Sequence, residues 1–350
     1  CRKETKRVMR YDVVIVGGGL AGLSAAVQLG RYNHKVLVID SDNGRSNFCL
    51  RYQNLIGWKN GVSGPELRQA GKEQAEKVGV EFVKGKAVTA KAYGAEEFVI
   101  ETDAAERFEG RRLLLATGVM DRLPPLEGLV PCLGISIYVC PDCDGYELSG
   151  RRAIVMGSGN PGAHMADILT YWTPDLVYVN HEEKEIAPEL MDKLRQKGVE
   201  IMEEPIRRLI IRDEQLQGIV LESGKEIEGG KAFVAFGGNE VRSGLAAQLG
   251  VTLHGNRHIE ADPRTKMTNI RHVWAAGDVL AHSEQASIAM GDGCQAAIWI
   301  HKSLIEKDGS KALRPLEAAA EQGIELEECR NAGMQECRNV GMQECRNVGM

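Results

Sequence analysis

The sequence predicts an α/β protein built from two nested, Rossmann-like, three-layer nucleotide-binding units. Three observations carry that expectation. Residues 12–16, Asp-Val-Val-Ile-Val, form a run of mostly β-branched apolar residues that passes directly into Gly17-Gly18-Gly19-Leu20-Ala21-Gly22 and a helical stretch. The same pattern recurs at residues 153–156, followed by Gly157-Ser158-Gly159-Asn160-Pro161-Gly162. In each copy the residue that closes the next strand stands 23 positions after the first glycine, at Asp40 and at Asn180. Continuous apolar runs of this kind belong to strands of a parallel sheet, buried on both faces because helical crossovers cover both sides.

The bulk numbers narrow the class. With 350 residues the chain can form two domains, each with its own core. An apolar content of 43% and 40 glycines suit many tight strand-to-helix turns. A net charge of −6 offers no basic face for nucleic acid. No apolar run reaches the ~18 residues that a membrane span needs. Residues 1–7, Cys-Arg-Lys-Glu-Thr-Lys-Arg, lack the apolar centre of a secretory signal. Nine cysteines, an odd number with one closely spaced pair, suit a reducing compartment. The expectation is a cytoplasmic protein with neither nucleic acid nor membrane among its partners.

Within the first unit, Gly17 makes the turn after the strand, Gly19 lets backbone amides approach a pyrophosphate, and Gly22 permits close helix–strand packing. The helix over 23–31 points its partial positive charge at the phosphates. Residues 36–39 form the second strand, and Asp40 at its end accepts hydrogen bonds from ribose hydroxyls. A strand–glycine–helix–strand–acid unit is far more specific than a lone GxGxxG. Residues 43–64, rich in glycine and asparagine, read as a long loop in which Cys49 is a small buried hydrophobe. Pro65 suits the first turn of a helix over 66–78. Strands are expected near 81–83, 97–101 and 112–116. The last ends in Thr117-Gly118, where a glycine lets the backbone pass close to a cofactor. Residues 121–128 contain Pro124-Pro125 and read as a crossing between the units.

Val139-Cys140-Pro141-Asp142-Cys143-Asp144-Gly145 follows the crossing. Two cysteines at this spacing can close a disulfide on one turn, and an acid comes directly after the second. The spacing reads as redox chemistry or as half of a metal site. Zinc would want a second Cys or His pair at short range, whereas Cys132 is single and Cys294 is far along the chain.

The second unit continues with a helix over 163–171 and a strand over 176–179. Gly157, Gly159 and Gly162 are its candidates for holding NAD(P). Its chemistry differs from the first copy, because Asn180 is neutral and His181-Glu182-Glu183-Lys184-Glu185 follows. An NADPH site wants arginines to grip the 2′-phosphate, and two carboxylates repel it. An NADH site prefers a carboxylate at the position of Asn180, although Asn180 or Glu182 can reach a ribose. NADPH, NADH and no nicotinamide nucleotide all stay open. A helix over 189–197 and strands near 200–202, 206–212, 216–222 and 231–236 complete the unit, and residues 243–249 return to the first. The expected domains are therefore 11–118 with 245–310, and an inserted 119–244.

Residues 273–278 form a strand ending in Gly277-Asp278, an acid placed for a ribityl hydroxyl. Glu284-Gln285-Ala286 leads to a helix starting near Ala289 and running to about 304, with Cys294 read as packing. A helix N-terminus aimed at a flavin ring stabilises negative charge near its N1. The extension 311–350 carries an eight-residue repeat with Cys329, Cys337 and Cys345 in register. Period eight matches neither a heptad nor a solenoid unit, so this extension reads as disordered.

Two fingerprints, the CxxC-Asp stretch and the closing Gly-Asp with its helix together resemble the low-molecular-weight thioredoxin reductase family, FAD-dependent pyridine nucleotide-disulfide oxidoreductases, over about residues 11–305. The resemblance implies FAD held by Gly17, Gly19, Gly22, Asp40, Gly118, Gly277 and Asp278, with Gln285 near the ring. It implies that Cys143 lies against the flavin, that Cys140 exchanges with a thioredoxin-like protein, and that Asp144 donates and accepts the proton. It also implies a homodimer. Two departures bear on the electron donor. The His-Arg-Arg run that grips NADPH reads His181-Glu182-Glu183, and the Arg-Gln pair near the flavin reads Glu284-Gln285. Ferredoxin is the alternative donor in related flavoproteins lacking those determinants, and a flavin dithiol oxidase acting on a small-molecule dithiol is the second reading of the whole chain.

Overall fold

The computed structural model describes residues 10–306, and the Cys-bearing repeat falls outside them. The first sheet grows around β1 (Arg10–Val16), whose β-branched residues alternate between two cores. Val14 and Val16 join one, Val13 and Ile15 the other. After the glycine turn come α1 (Leu20–Arg31), β2 (Val36–Asp40), α2 (Gly64–Lys77) and β3 (Glu81–Lys84). A meander of β4 (Ala87–Ala92), β5 (Phe98–Thr102) and β6 (Arg107–Leu115) follows. The strand order is β3-β2-β1-β6-β5-β4, parallel from β3 through β6 and antiparallel beyond. Helix α2 starts at Gly64, two residues earlier than the sequence suggests, because Ser63 and Glu66 close a reciprocal capping box around Pro65.

The chain crosses over through β7 (Val119–Met120) and β8 (Ile137–Tyr138), then forms the four-residue helical turn α3 (Pro141–Asp144). The second unit holds β9 (Ala153–Gly157), α4 (Gly159–Leu169), β10 (Leu176–Asn180), α5 (Pro188–Gln196) and β11 (Glu200–Met202). Next comes an antiparallel meander, β12 (Ile206–Arg212), β13 (Gln215–Leu221) and β14 (Glu226–Glu228), and then β15 (Lys231–Ala235). Its sheet is all parallel, ordered β11-β10-β9-β15-β8, with one apolar core on each face.

The return runs through β16 (Glu240–Val241), which pairs antiparallel with β7, so the two crossing strands lie side by side. In α6 (Gly244–Gln248), Leu245 and Ala246 rejoin the core of the first sheet. β17 (Val273–Ala275) then adds a parallel strand beside the end of β6. The last helix, α7 (Ala286–Ile305), packs on α1 so closely that a Cβ on Gly293 would meet Ala21 O at 2.0 Å. Among the described residues no helix is long and apolar enough to cross a membrane.

Candidate active site

A cleft of about 800 Å³ opens where the carboxyl ends of β1 and β6 face the CxxC turn. Gly17 holds a φ of +106°, and a Cβ there would meet Ala116 O at 2.2 Å, so the turn presses against the end of β6. A Cβ on Gly19 would meet nothing within 4 Å, which leaves that backbone bare toward the cleft. Gly22 does not line the cleft. A Cβ on it would fall 1.9 Å from Gly17 O, so its role is close packing of α1 on the turn. Gly118, with a φ of +70°, also turns a bare face to the cleft. Asp40 lines it and accepts a bond from Arg68 Nη2 at 2.6 Å. Gly277 and Asp278 close the far wall. An open glycine amide at a helix start, an acid at the end of β2 and a second acid at the end of β17 together fit a dinucleotide.

The CxxC turn forms the opposite wall. Cys140 sits in extended backbone ahead of Pro141, and its carbonyl accepts from the amides of Cys143 at 3.3 Å and Asp144 at 3.1 Å. That one turn brings the two Cα atoms to 5.3 Å and closes a Cys140–Cys143 disulfide. Cys143 Sγ lies 3.9 Å from the Glu284 carbonyl oxygen, and Gln285 Nε2 donates to Asp142 O at 3.5 Å. The start of α7 therefore touches the dithiol turn directly. Burial pushes the Asp144 carboxyl up to about 7, and the Glu147 charge adds to that rise while Lys231 opposes it.

Arg45 was not anticipated from sequence. It stands in a 3₁₀ turn inside the long loop after β2 and forks bidentately onto Asp121, 2.6 Å at each oxygen. Its other nitrogen reaches Asp278 at 3.3 Å and also bonds Glu284. Arg45 thus ties the crossing segment to the far wall of the cleft.

The family model for pyridine nucleotide-disulphide oxidoreductases matches residues 11–293. The chain belongs to that family. Among relatives of the oxidoreductase is a protein named thioredoxin reductase from Aquifex aeolicus (strain VF5), 29% identical over 318 residues, covering 87% of this chain and 96% of that protein. The solved structure of an oxidoreductase from Agrobacterium tumefaciens is 29% identical, covers 85% of this chain and 99% of its own, and superposes with a TM-score of 0.70. A thioredoxin reductase from Streptococcus pyogenes MGAS5005, 24% identical over 84% of this chain and 98% of its own, shares the fold with a TM-score of 0.75. Two Rossmann-like domains are therefore the architecture of this oxidoreductase, and its family couples a flavin and a nicotinamide nucleotide to a disulfide.

The second glycine turn of this oxidoreductase is placed differently from the first. Gly157 and Gly162 are buried, and a Cβ on Gly162 would fall 2.5 Å from the Tyr178 ring. Gly159, at a φ of +51°, lies under the segment 184–185. Two cysteines depart from their expected settings. Cys294 is exposed, next to the α7 residue Gly293 that packs on α1. Cys49 is only half-buried and lines the cleft, and burial pushes its thiol up to about 12.

Proposed function

We propose that the protein is an FAD-dependent disulfide reductase that passes two electrons to the Cys140–Cys143 disulfide and on to a thioredoxin-like protein. One observation carries the reading: the disulfide lies in the wall of the same cleft that presents Gly17, Gly19, Asp40 and Asp278. FAD would be held by those residues with Gly118 and Gly277, on a turn packed tight by Gly22, with Gln285 near the ring. When bound, it supplies the electron pair that the disulfide accepts.

The chain's own residues do the rest. Opening the disulfide needs two protons, and a carboxyl at about 7 exchanges protons at neutral pH. We assign that part to Asp144. Cys140, at the start of the turn, then attacks the partner's disulfide as a thiolate and forms a mixed disulfide. Cys143 resolves it, which restores the internal disulfide and releases the partner as a dithiol. The adjacent strands β7 and β16 would be the hinge between 119–244 and the remainder of the fold.

Cys140→Ser tests the assignment. The variant is expected to keep FAD bound and to lose reduction of a thioredoxin disulfide when the flavin is reduced with dithionite. Normal turnover by that variant overturns it. An anaerobic titration with NADPH, NADH and reduced ferredoxin in turn identifies the donor. The homodimer and the cytoplasmic location belong to this proposal, and sedimentation equilibrium of the FAD-loaded protein tests the former.

A further inference from the structure

We infer that the second nucleotide fold is closed by its own loop and takes neither NADP nor NAD. The chain contains its own control, because the same fingerprint occurs twice. In the first copy a Cβ on Gly19 would meet nothing within 4 Å. In the second, a Cβ on the equivalent Gly159 would meet Glu185 O at 3.0 Å and Lys184 Cβ at 3.1 Å. Backbone of this chain lies where the first copy leaves room for a pyrophosphate.

The polar groups that would serve the phosphates are already used. The Gly159 amide donates to Asn180 Oδ1 at 2.8 Å, and Asn180 Nδ2 donates back to Lys184 O at 2.7 Å. Asn180 is fully buried, so its side chain stands as an internal acceptor in place of a phosphate oxygen. Asn160 Oδ1 accepts the Ala187 amide at 2.8 Å and pins the far end of the same loop. His181 is turned away, accepting the Ile206 amide on Nδ1 at 2.7 Å. Two cations stand at the mouth, and both pair with Glu182: Lys184 at 2.7 Å and Arg122 in a fork. Hydrogen bonding to Glu182, from Lys184 first and then from Ser158 and Arg122, holds its carboxyl down at about 2, so it stays charged across the working pH range. A dinucleotide would have to displace the loop, expose the Gly159 amide and compete with Glu182 for both cations. This inference rests on the second fold alone and does not depend on the dithiol chemistry proposed above.

Calorimetric titration of the FAD-loaded protein with NADP⁺ and with NAD⁺ tests it, since the oxidised forms carry the same phosphates and cannot reduce the flavin. Neither is expected to give saturable heat up to about 1 mM. The double variant Asn180→Ala, Glu182→Ala frees the Gly159 amide and both cations, and is expected to give saturable heat with NADP⁺ below about 1 mM. The FAD absorbance and circular dichroism of that variant report that it is folded. Saturable binding below about 1 mM by the wild type overturns the inference. So does a folded double variant that gains no binding.

Discussion

Replacing Asp144 by Asn separates a proton-handling carboxyl from a merely buried one. The folded value of about 7 stands against an ordinary 3.8, so the environment penalises the charged form. At about 1.4 kcal/mol per tenfold, that gap corresponds to roughly 4 kcal/mol, and partial access of solvent to a half-buried side chain lowers it to about 2. The sign follows from which form the fold prefers. Extra stability from protonated Asp144 is fully present below about pH 4 and is lost as pH rises through 7. The amide of the Asp144→Asn variant does not titrate and has no such slope. Urea unfolding of the oxidised, FAD-loaded protein should therefore show the wild type losing about 2 kcal/mol relative to Asp144→Asn between pH 4 and pH 8. In stopped-flow reduction of a thioredoxin disulfide, the wild-type rate should bend near pH 7. The variant should be about 10²- to 10³-fold slower at pH 7 and lack the bend. A variant that keeps the bend, or a stability gap that ignores pH, refutes the role given to Asp144.

Four further substitutions test the structure around the cleft. Gly19→Ala should keep the fold and lose FAD affinity by tenfold or more, because its methyl enters the cleft, whereas Gly22→Ala should destabilise by about 3 kcal/mol, because its methyl meets backbone at 1.9 Å. Thermal melts and bound-flavin content distinguish the two. Arg45→Met leaves Asp121, Asp278 and Glu284 facing one another and should cost about 2–3 kcal/mol at pH 8 by urea unfolding. That loss should shrink toward pH 4, since burial already raises the Asp278 carboxyl and protonation removes the repulsion. His282 is raised chiefly by its hydrogen bond to Asp292, so its contribution is present below its ordinary 6.5 and lost as pH rises through the folded value. His282→Gln should therefore lie about 1 kcal/mol below wild type at pH 6 and match it near pH 9.

The elements read correctly from sequence are those with local causes. β1, β2, β9 and β10 each contain a continuous run of four apolar residues, and no tertiary information is needed to see them. The short strands β7, β8 and β16, two residues each, exist only because partners arrive from distant segments, so no periodicity announces them. Arg45 was invisible for the same reason, as its partners lie 76, 233 and 239 positions away. The start of α2 was different: Ser63 and Glu66 form a local signature that the sequence displays. Cys294 shows the opposite failure, since among the described residues it stands exposed on an apolar-looking helix.

The two glycine turns show what a fingerprint reports. Gly17-x-Gly19-x-x-Gly22 and Gly157-x-Gly159-x-x-Gly162 do the same backbone work: each brings a strand end, a tight turn and a helix start together. That is a demand of the fold, and both copies meet it. Whether the helix start stays open is decided by other residues, the one at the end of the next strand and the loop after it. Asp40 is held instead by Arg68 from α2, and a Cβ on Gly19 would meet nothing within 4 Å. Asn180 reaches the Gly159 amide itself, and the loop it bonds to fills the remaining space. On the inference drawn above, Asn180 and the 184–185 loop it bonds to, with Glu182 at the mouth, make an internal joint of the second turn while every glycine stays in place.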